Sequence, residues 1–94
     1  MWGIDWSDEA LDDLEEITSY VRDFSPAAAA RLELAIVEAA DSLETLPNRG
    51  RATGPNSREL TVVQPYLIRY VVVGAEVRIL SVRHAARRRE PRGR

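Results

Sequence analysis

The chain has no cysteine and no lysine, and it has a single histidine. Without cysteine there is neither a disulfide framework nor a thiolate metal site, and the redox compartment stays open. One histidine excludes a multi-histidine metal centre. Long apolar runs are missing too: no stretch approaches the roughly 20 residues a membrane-spanning helix needs. The opening "MWGIDWSDEA" lacks the basic-then-apolar order of a signal peptide. These absences lead to the expectation of a soluble cytoplasmic protein with no cofactor and no membrane partner. The lack of lysine makes every basic side chain an arginine, a residue suited to bidentate contact with phosphate and carboxylate, although genome base composition produces the same bias.

What is present suits one domain spanning residues 1–94, since 94 residues with 45% hydrophobic content can bury a modest single core. The net charge of -2 conceals a polarised molecule. Residues 1–46 hold twelve acids against two arginines, a balance of -10, and residues 47–94 hold three acids against eleven arginines, a balance of +8. Such asymmetry points to a charged partner more strongly than the net value does.

"GIDW" (3–6) reads as a short first strand, with Ser7 as N-cap and Asp8 and Glu9 in the first turn of a helix, where its dipole favours them. Leu11, Leu14, Ile17 and Val21 recur at helical spacing, while Asp12, Asp13, Glu15 and Glu16 fill the other face, and this helix should end near Asp23. A second helix restarts with Ser25 as N-cap and Pro26 at its first position, carrying Leu32, Ile36, Ala39, Leu43 and Leu46 as one stripe. Its alanines favour close approach, so the two helices form an antiparallel hairpin. After Pro47 and Gly50 the period changes to that of strands, expected over 58–63, 66–73 and 76–83, with Gly74-Ala75 as a two-residue turn. The fold class is therefore α+β: a strand, two helices, then a three-stranded meander.

Pairing Val73 with Glu76 sets Tyr70 opposite Ile79 and Arg69 opposite Leu80. Tyr66, Ile68, Tyr70, Val72, Val77 and Ile79 then face the helices. Leu67, Arg69, Val71, Arg78, Leu80, Val82 and His84 face away, a mixture of aliphatics and arginines that suits a covering partner, although a one-residue slip reverses the assignment.

"IDWSDEALDDLEEI", "LPNRGR", "RELTV", "PYLIRYVV" and "VRILSVRHAARR" stand in an order and spacing that resemble the ParE branch of the RelE/ParE superfamily of bacterial toxins, over nearly the whole chain. The resemblance implies a helical hairpin on a mainly antiparallel sheet. It also implies a hetero-oligomer with a cognate ParD-like antitoxin, whose acidic C-terminal segment would lie on the basic half, using Leu67, Arg69, Val71, Arg78, Leu80 and Val82. For the ParE branch it implies DNA gyrase as target, with Arg87, Arg88 and Arg89 engaging it and no catalytic residue. Growth inhibition and plasmid stabilisation are the expected biology.

The RelE branch instead cuts ribosome-bound mRNA, which requires a base for the 2′-OH, an acid for the leaving oxygen and cations for the phosphorane. RelE-type members typically place arginine after the first tyrosine of the third strand, with supporting lysines and a late tyrosine. Here Leu67 follows Tyr66, lysine is absent and no tyrosine occurs after Tyr70. The alternative is an endoribonuclease built on His84 with Arg83, Arg87 or Arg69, since histidine beside arginines is sound acid–base chemistry for a phosphodiester. A third reading is a degenerate, non-toxic antitoxin-binding module.

Other features have ordinary explanations. Trp6 reads as core and Trp2 as a partly exposed cover, and Tyr66 and Tyr70 as helix-side packing. The acids of the first helix suggest a metal only superficially, because such a run is usually a solvated face. Arg49, Arg51 and Arg58 lie in or beside a Gly/Pro-rich loop that is either phosphate-binding or solvated. Residues 85–94 read as a mobile basic tail.

Overall fold

The computed structural model describes residues 1–85. Strand β1 is Gly3–Trp6, helix α1 Asp8–Arg22 and helix α2 Pro26–Ser42, followed by β2 (Arg51–Ala52), β3 (Ser57–Thr61), β4 (Tyr66–Val73) and β5 (Glu76–His84). The caps are those the sequence implies. Ser7 Oγ accepts the Ala10 N–H at 3.0 Å, Asp8 and Glu9 occupy the first turn of α1, and Ser25 Oγ accepts the Ala28 N–H at 3.1 Å ahead of Pro26. Gly74 takes a positive φ of 60° in the β4–β5 turn, the conformation that a tight hairpin demands of its first central residue.

The five strands lie in the order β1-β5-β4-β3-β2, antiparallel throughout except for β1, which runs parallel to β5. Two helices between β1 and the remaining strands make that parallel pairing possible, because a parallel neighbour needs a crossover. Strand β2 is an addition to the expected meander, two residues paired with Arg58 and Glu59 of β3. The core forms where the hairpin meets one sheet face: Ala10, Ile36, Ala40 and Leu43 from the helices and their ends against Leu60, Ile68, Tyr70, Val77, Ile79 and Val82.

Two expected core leucines lie outside it. Leu11 and Leu46 are exposed. In α1 the buried positions are Ala10 and Thr18, with Leu14 and Ile17 packed beside them, and Leu11 stands about 100° from Ala10 around the helix axis. Helix α2 ends at Ser42 with Leu43 as its C-cap, so Leu46 falls in the following turns, off the helical stripe.

Tyr70 pins the loop between α2 and β2 to the sheet. Its ring is fully buried, its hydroxyl donates to the Pro47 carbonyl at 2.8 Å, and its oxygen accepts the Gly50 N–H at 2.8 Å. Its cross-strand neighbour Arg58 donates from Nη1 to the Gly50 carbonyl at 2.7 Å and to the Asn48 carbonyl at 3.2 Å. Gly50 is required by this close approach: a Cβ there would stand 2.8 Å from both the Tyr70 hydroxyl and the Glu59 carbonyl. Burial pushes the Tyr70 hydroxyl above its ordinary pKa, so it remains a neutral donor, although the Gly50 N–H and the nearby Arg58 and Arg49 act in the opposite direction.

Tyr70→Phe removes the shared partner of two backbone groups while keeping the ring. The loss expected in equilibrium denaturation is about 1–3 kcal/mol, the cost of leaving buried polar groups unmet. A variant as stable as the parent would show that Arg58 alone holds the loop.

Candidate functional site

β5 has one more residue than its partner strand matches. Tyr70 pairs with Ile79, but Arg69 pairs with Ser81, so Leu80 is the extra residue of a bulge. This corrects the expected pairing of Arg69 with Leu80, and it reverses the alternation for the rest of β5. Val82 now pairs with Ile68 and His84 with Tyr66, placing both on the helix side. Val82 is 3% exposed and belongs to the core, so it is not part of an outward surface as the unbulged register required. The His84 and Tyr66 rings meet edge to face, with centroids 5.4 Å apart.

The outward face carries Leu67, Arg69, Val71 and Arg78 as expected, and gains Ser81 and Arg83. Leu67, opposite Arg83, is only 5% exposed, and Val71 and Leu80 are half-buried. The arginines here are held by carboxylates. Glu59 receives Arg51 at 3.0 Å and lies 3.9 Å from Arg69, Arg78 stands 3.3 Å from Asp5 and 3.8 Å from Glu76, and Arg83 stands 3.5 Å from Glu9. Ser81 Oγ and Arg83 Nε are buried without a hydrogen-bond partner among the described residues.

The His84, Arg83 and Arg69 constellation is therefore divided at its roots: by register His84 leaves the sheet on the helix side and Arg83 and Arg69 leave it on the other, with the Arg83 guanidinium directed to Glu9 of α1. Arg87, Arg88 and Arg89 lie outside the described residues. In the loop, Arg49 donates from Nη1 to Ser42 Oγ at 2.6 Å, and Arg58 and Arg51 are engaged as above, so these three cations serve different parts of the fold. Among the described residues no group of three or more His, Asp or Glu side chains is placed to hold a metal ion, and no helix is long and apolar enough to cross a membrane.

Asp13 has a part that its acidic neighbourhood in the sequence hides. It is half-buried, and its Oδ2 accepts the Val82 N–H at 2.9 Å. Burial pushes its carboxyl above the ordinary pKa, with Glu9 and Glu16 adding to the rise, while the Val82 N–H and Arg83 oppose it. Within a run of six acids between residues 8 and 16, nothing in the residue order singles out this one.

A family model described as "ParE toxin of type II toxin-antitoxin system, parDE" matches residues 4–89. "Toxin RelE2" of Caulobacter vibrioides is 50% identical over 82 residues, covering 87% of this chain and 93% of that protein. "Toxin RelE1" of the same organism is 34% identical over 83 residues, covering 85% and 89%. A solved structure described as "Chromosomal ParDE TA system from P. aeruginosa" superposes with a TM-score of 0.76 at 29% identity, covering 89% of this chain and 96% of that one.

Asp13→Asn tests the buried carboxylate. Because folding raises the Asp13 pKa, ionising it favours the unfolded chain: the stability that its protonated form contributes is complete below the unfolded value near 3.9 and is lost as pH rises through the folded value. The neutral amide, whose oxygen still accepts the Val82 N–H, is expected to melt at or above the parent's temperature at pH 7. Its advantage should shrink as pH falls through the raised folded value and be smallest below about 4. Thermal denaturation of both proteins across pH 3–8 reads the difference, and an advantage that grows toward acid would contradict the sign.

Proposed function

From the chain's membership of the ParE toxin family of type II toxin–antitoxin systems, to which it belongs over residues 4–89, we propose that it inhibits growth by poisoning DNA gyrase through protein contacts and is neutralised by a cognate ParD-like antitoxin. The observation that carries the choice of target is the division of His84 from Arg83 and Arg69 by the sheet. Cleaving RNA at the 2′-OH needs a base, an acid and cations within hydrogen-bond reach of one phosphodiester. Groups on opposite faces of one sheet do not meet that condition, and Arg69 and Arg83 are already turned toward Glu59 and Glu9. Arg87, the remaining arginine of the nuclease set, is with Arg88 and Arg89 best suited to docking on a charged partner.

The antitoxin's acidic segment is assigned to the outward sheet face, on Leu67, Arg69, Val71, Arg78 and Leu80. A carboxylate-bearing strand arriving there would compete with Glu59, Asp5 and Glu76 for arginines already aligned in rows, which favours geometric selection over simple charge attraction. The acidic outer faces of α1 and α2 repel the same segment, which narrows its path to the sheet.

One observation favours a second reading. The relatives that are 50% and 34% identical carry the name RelE, and the RelE branch is that of ribosome-dependent endoribonucleases. On this reading His84 acts with Tyr66 beside it.

Two experiments separate these readings. In a supercoiling assay, purified toxin is expected to block gyrase and the antitoxin to restore it; full gyrase activity at saturating toxin removes the target assignment. In cells, His84→Ala is expected to keep growth arrest. Loss of arrest by a folded His84→Ala protein, together with the disappearance of discrete codon-associated mRNA cuts in primer extension, would establish the endoribonuclease instead. No arrest with the parent chain would leave an antitoxin-binding module alone.

A further inference from the structure

β1 accompanies β5 only from Glu76 to Ile79, because Ser7 then turns the chain into α1. β5 continues for five more residues to His84. On the edge it presents away from β4, two of its polar groups are met by side chains: Ser7 Oγ donates to the Leu80 carbonyl at 3.0 Å, and Asp13 Oδ2 accepts the Val82 N–H at 2.9 Å. The same Ser7 oxygen accepts the Ala10 N–H, so one hydroxyl starts α1 and closes the bulge. Two side chains of α1 and its cap thus do what a neighbouring strand does elsewhere in the sheet.

We propose that Asp13 is an edge guard: its carboxylate occupies the place on β5 that the carbonyl of an added strand would take, and the strand it keeps away is β5 of a second copy of this chain. A strand edge with unmet backbone groups is a template for another chain, and an inward-directed charge is one way that folds close it. Val82 sends its N–H, and by strand geometry its C=O, to this edge. A twofold axis beside Val82 lets the two Val82 residues exchange both hydrogen bonds in an antiparallel pair.

That register also brings Ser81 opposite Arg83 of the other copy, on the outward face. These are the two residues whose buried Ser81 Oγ and Arg83 Nε have no hydrogen-bond partner among the described residues. A hydroxyl oxygen and a guanidinium N–H are complementary, and cross-strand neighbours at such positions are about 4.5–5.5 Å apart at Cβ. A change of rotamer that turns Ser81 and Arg83 outward lets the self-pairing offer a partner to both unmet atoms, and the carboxylate of Asp13 stands in its way. The burial of that carboxylate, whose ionisation the fold disfavours, fits a residue retained for what it excludes.

The test uses the purified full chain, with light scattering after size exclusion over a wide dilution range and hydrogen exchange at the Val82 amide. The parent is expected to remain monomeric with a protected Val82 amide. Asp13→Ala should expose that amide at low concentration, speeding its exchange roughly tenfold or more, and should form a dimer at high concentration in which protection returns. Asp13→Asn, which keeps an acceptor, should behave as the parent. If Asp13→Ala does not fold, Asp13→Leu keeps apolar bulk without an acceptor and is read in the same way. A folded variant that stays monomeric throughout, or dimerises while the Val82 amide stays open, overturns the proposal, as does a parent that already dimerises with Asp13 intact.

Discussion

The extra residue in β5 is the constraint on which the arrangement of this molecule turns. Leu80 has no counterpart on β4, and the hydrogen bond from Ser7 to its carbonyl holds the bulge at the point where β1 gives way to α1. Because side chains alternate strictly along a strand, one inserted residue exchanges the two faces for everything after it. Val82 thereby enters the core, His84 comes beside Tyr66, and Ser81 and Arg83 turn outward with Arg69. Without the bulge, Val82 would face solvent, and histidine and arginine would share a face.

The same junction determines how α1 is tied to the sheet. Its N-terminal turns carry Glu9 toward Arg83 and Asp13 toward Val82, so the acidic helix is attached to the basic strand by a salt bridge and by a hydrogen bond from the backbone. At the other side of the sheet, Tyr70 and Arg58 hold the loop that leads from α2 into β2. Each link joins the hairpin or its exit loop to the strand behind it, and together they set how the outward arginines are presented. Those arginines are arranged in pairs with Glu59, Asp5, Glu76 and Glu9, so the +8 character of the second half of the chain is moderated where it meets the fold. The pairs open to solvent on both sides contribute little to stability, about 0–1 kcal/mol each, whereas Glu59, with a side chain only 9% exposed, holds Arg51 and Arg69 from a sheltered position.

Much of this was legible from residue order. Ser7, Ser25 and Pro26 mark helix starts by local chemistry, Gly74 marks a turn that needs positive φ, and the change from helical to alternating period after Gly50 marks the boundary between layers. Candidate site residues were less legible. Leu67, Arg69, Val71 and Arg78 fall on the expected face because they precede the bulge or lie on its N-terminal side, whereas Val82 and His84 do not because they follow it. Leu11 and Leu46 depart from the expected stripes for a related reason: leucines at approximate helical spacing do not reveal that an alanine takes the innermost place or that the helix stops four residues early.

By itself the amino-acid sequence determined the elements, their caps, the hairpin turn and the polarity of charge between the halves, because each depends on residues a few positions apart. Tertiary structure alone decided the parity of β5, the parallel seat of β1, the second task of Ser7 and the role of Asp13. Those depend on groups separated by about seventy positions, 73 from Ser7 to Leu80 and 69 from Asp13 to Val82. Whether a strand bulges, and which of several neighbouring carboxylates reaches its edge, is settled by where two distant segments meet, and local spacing carries no record of that.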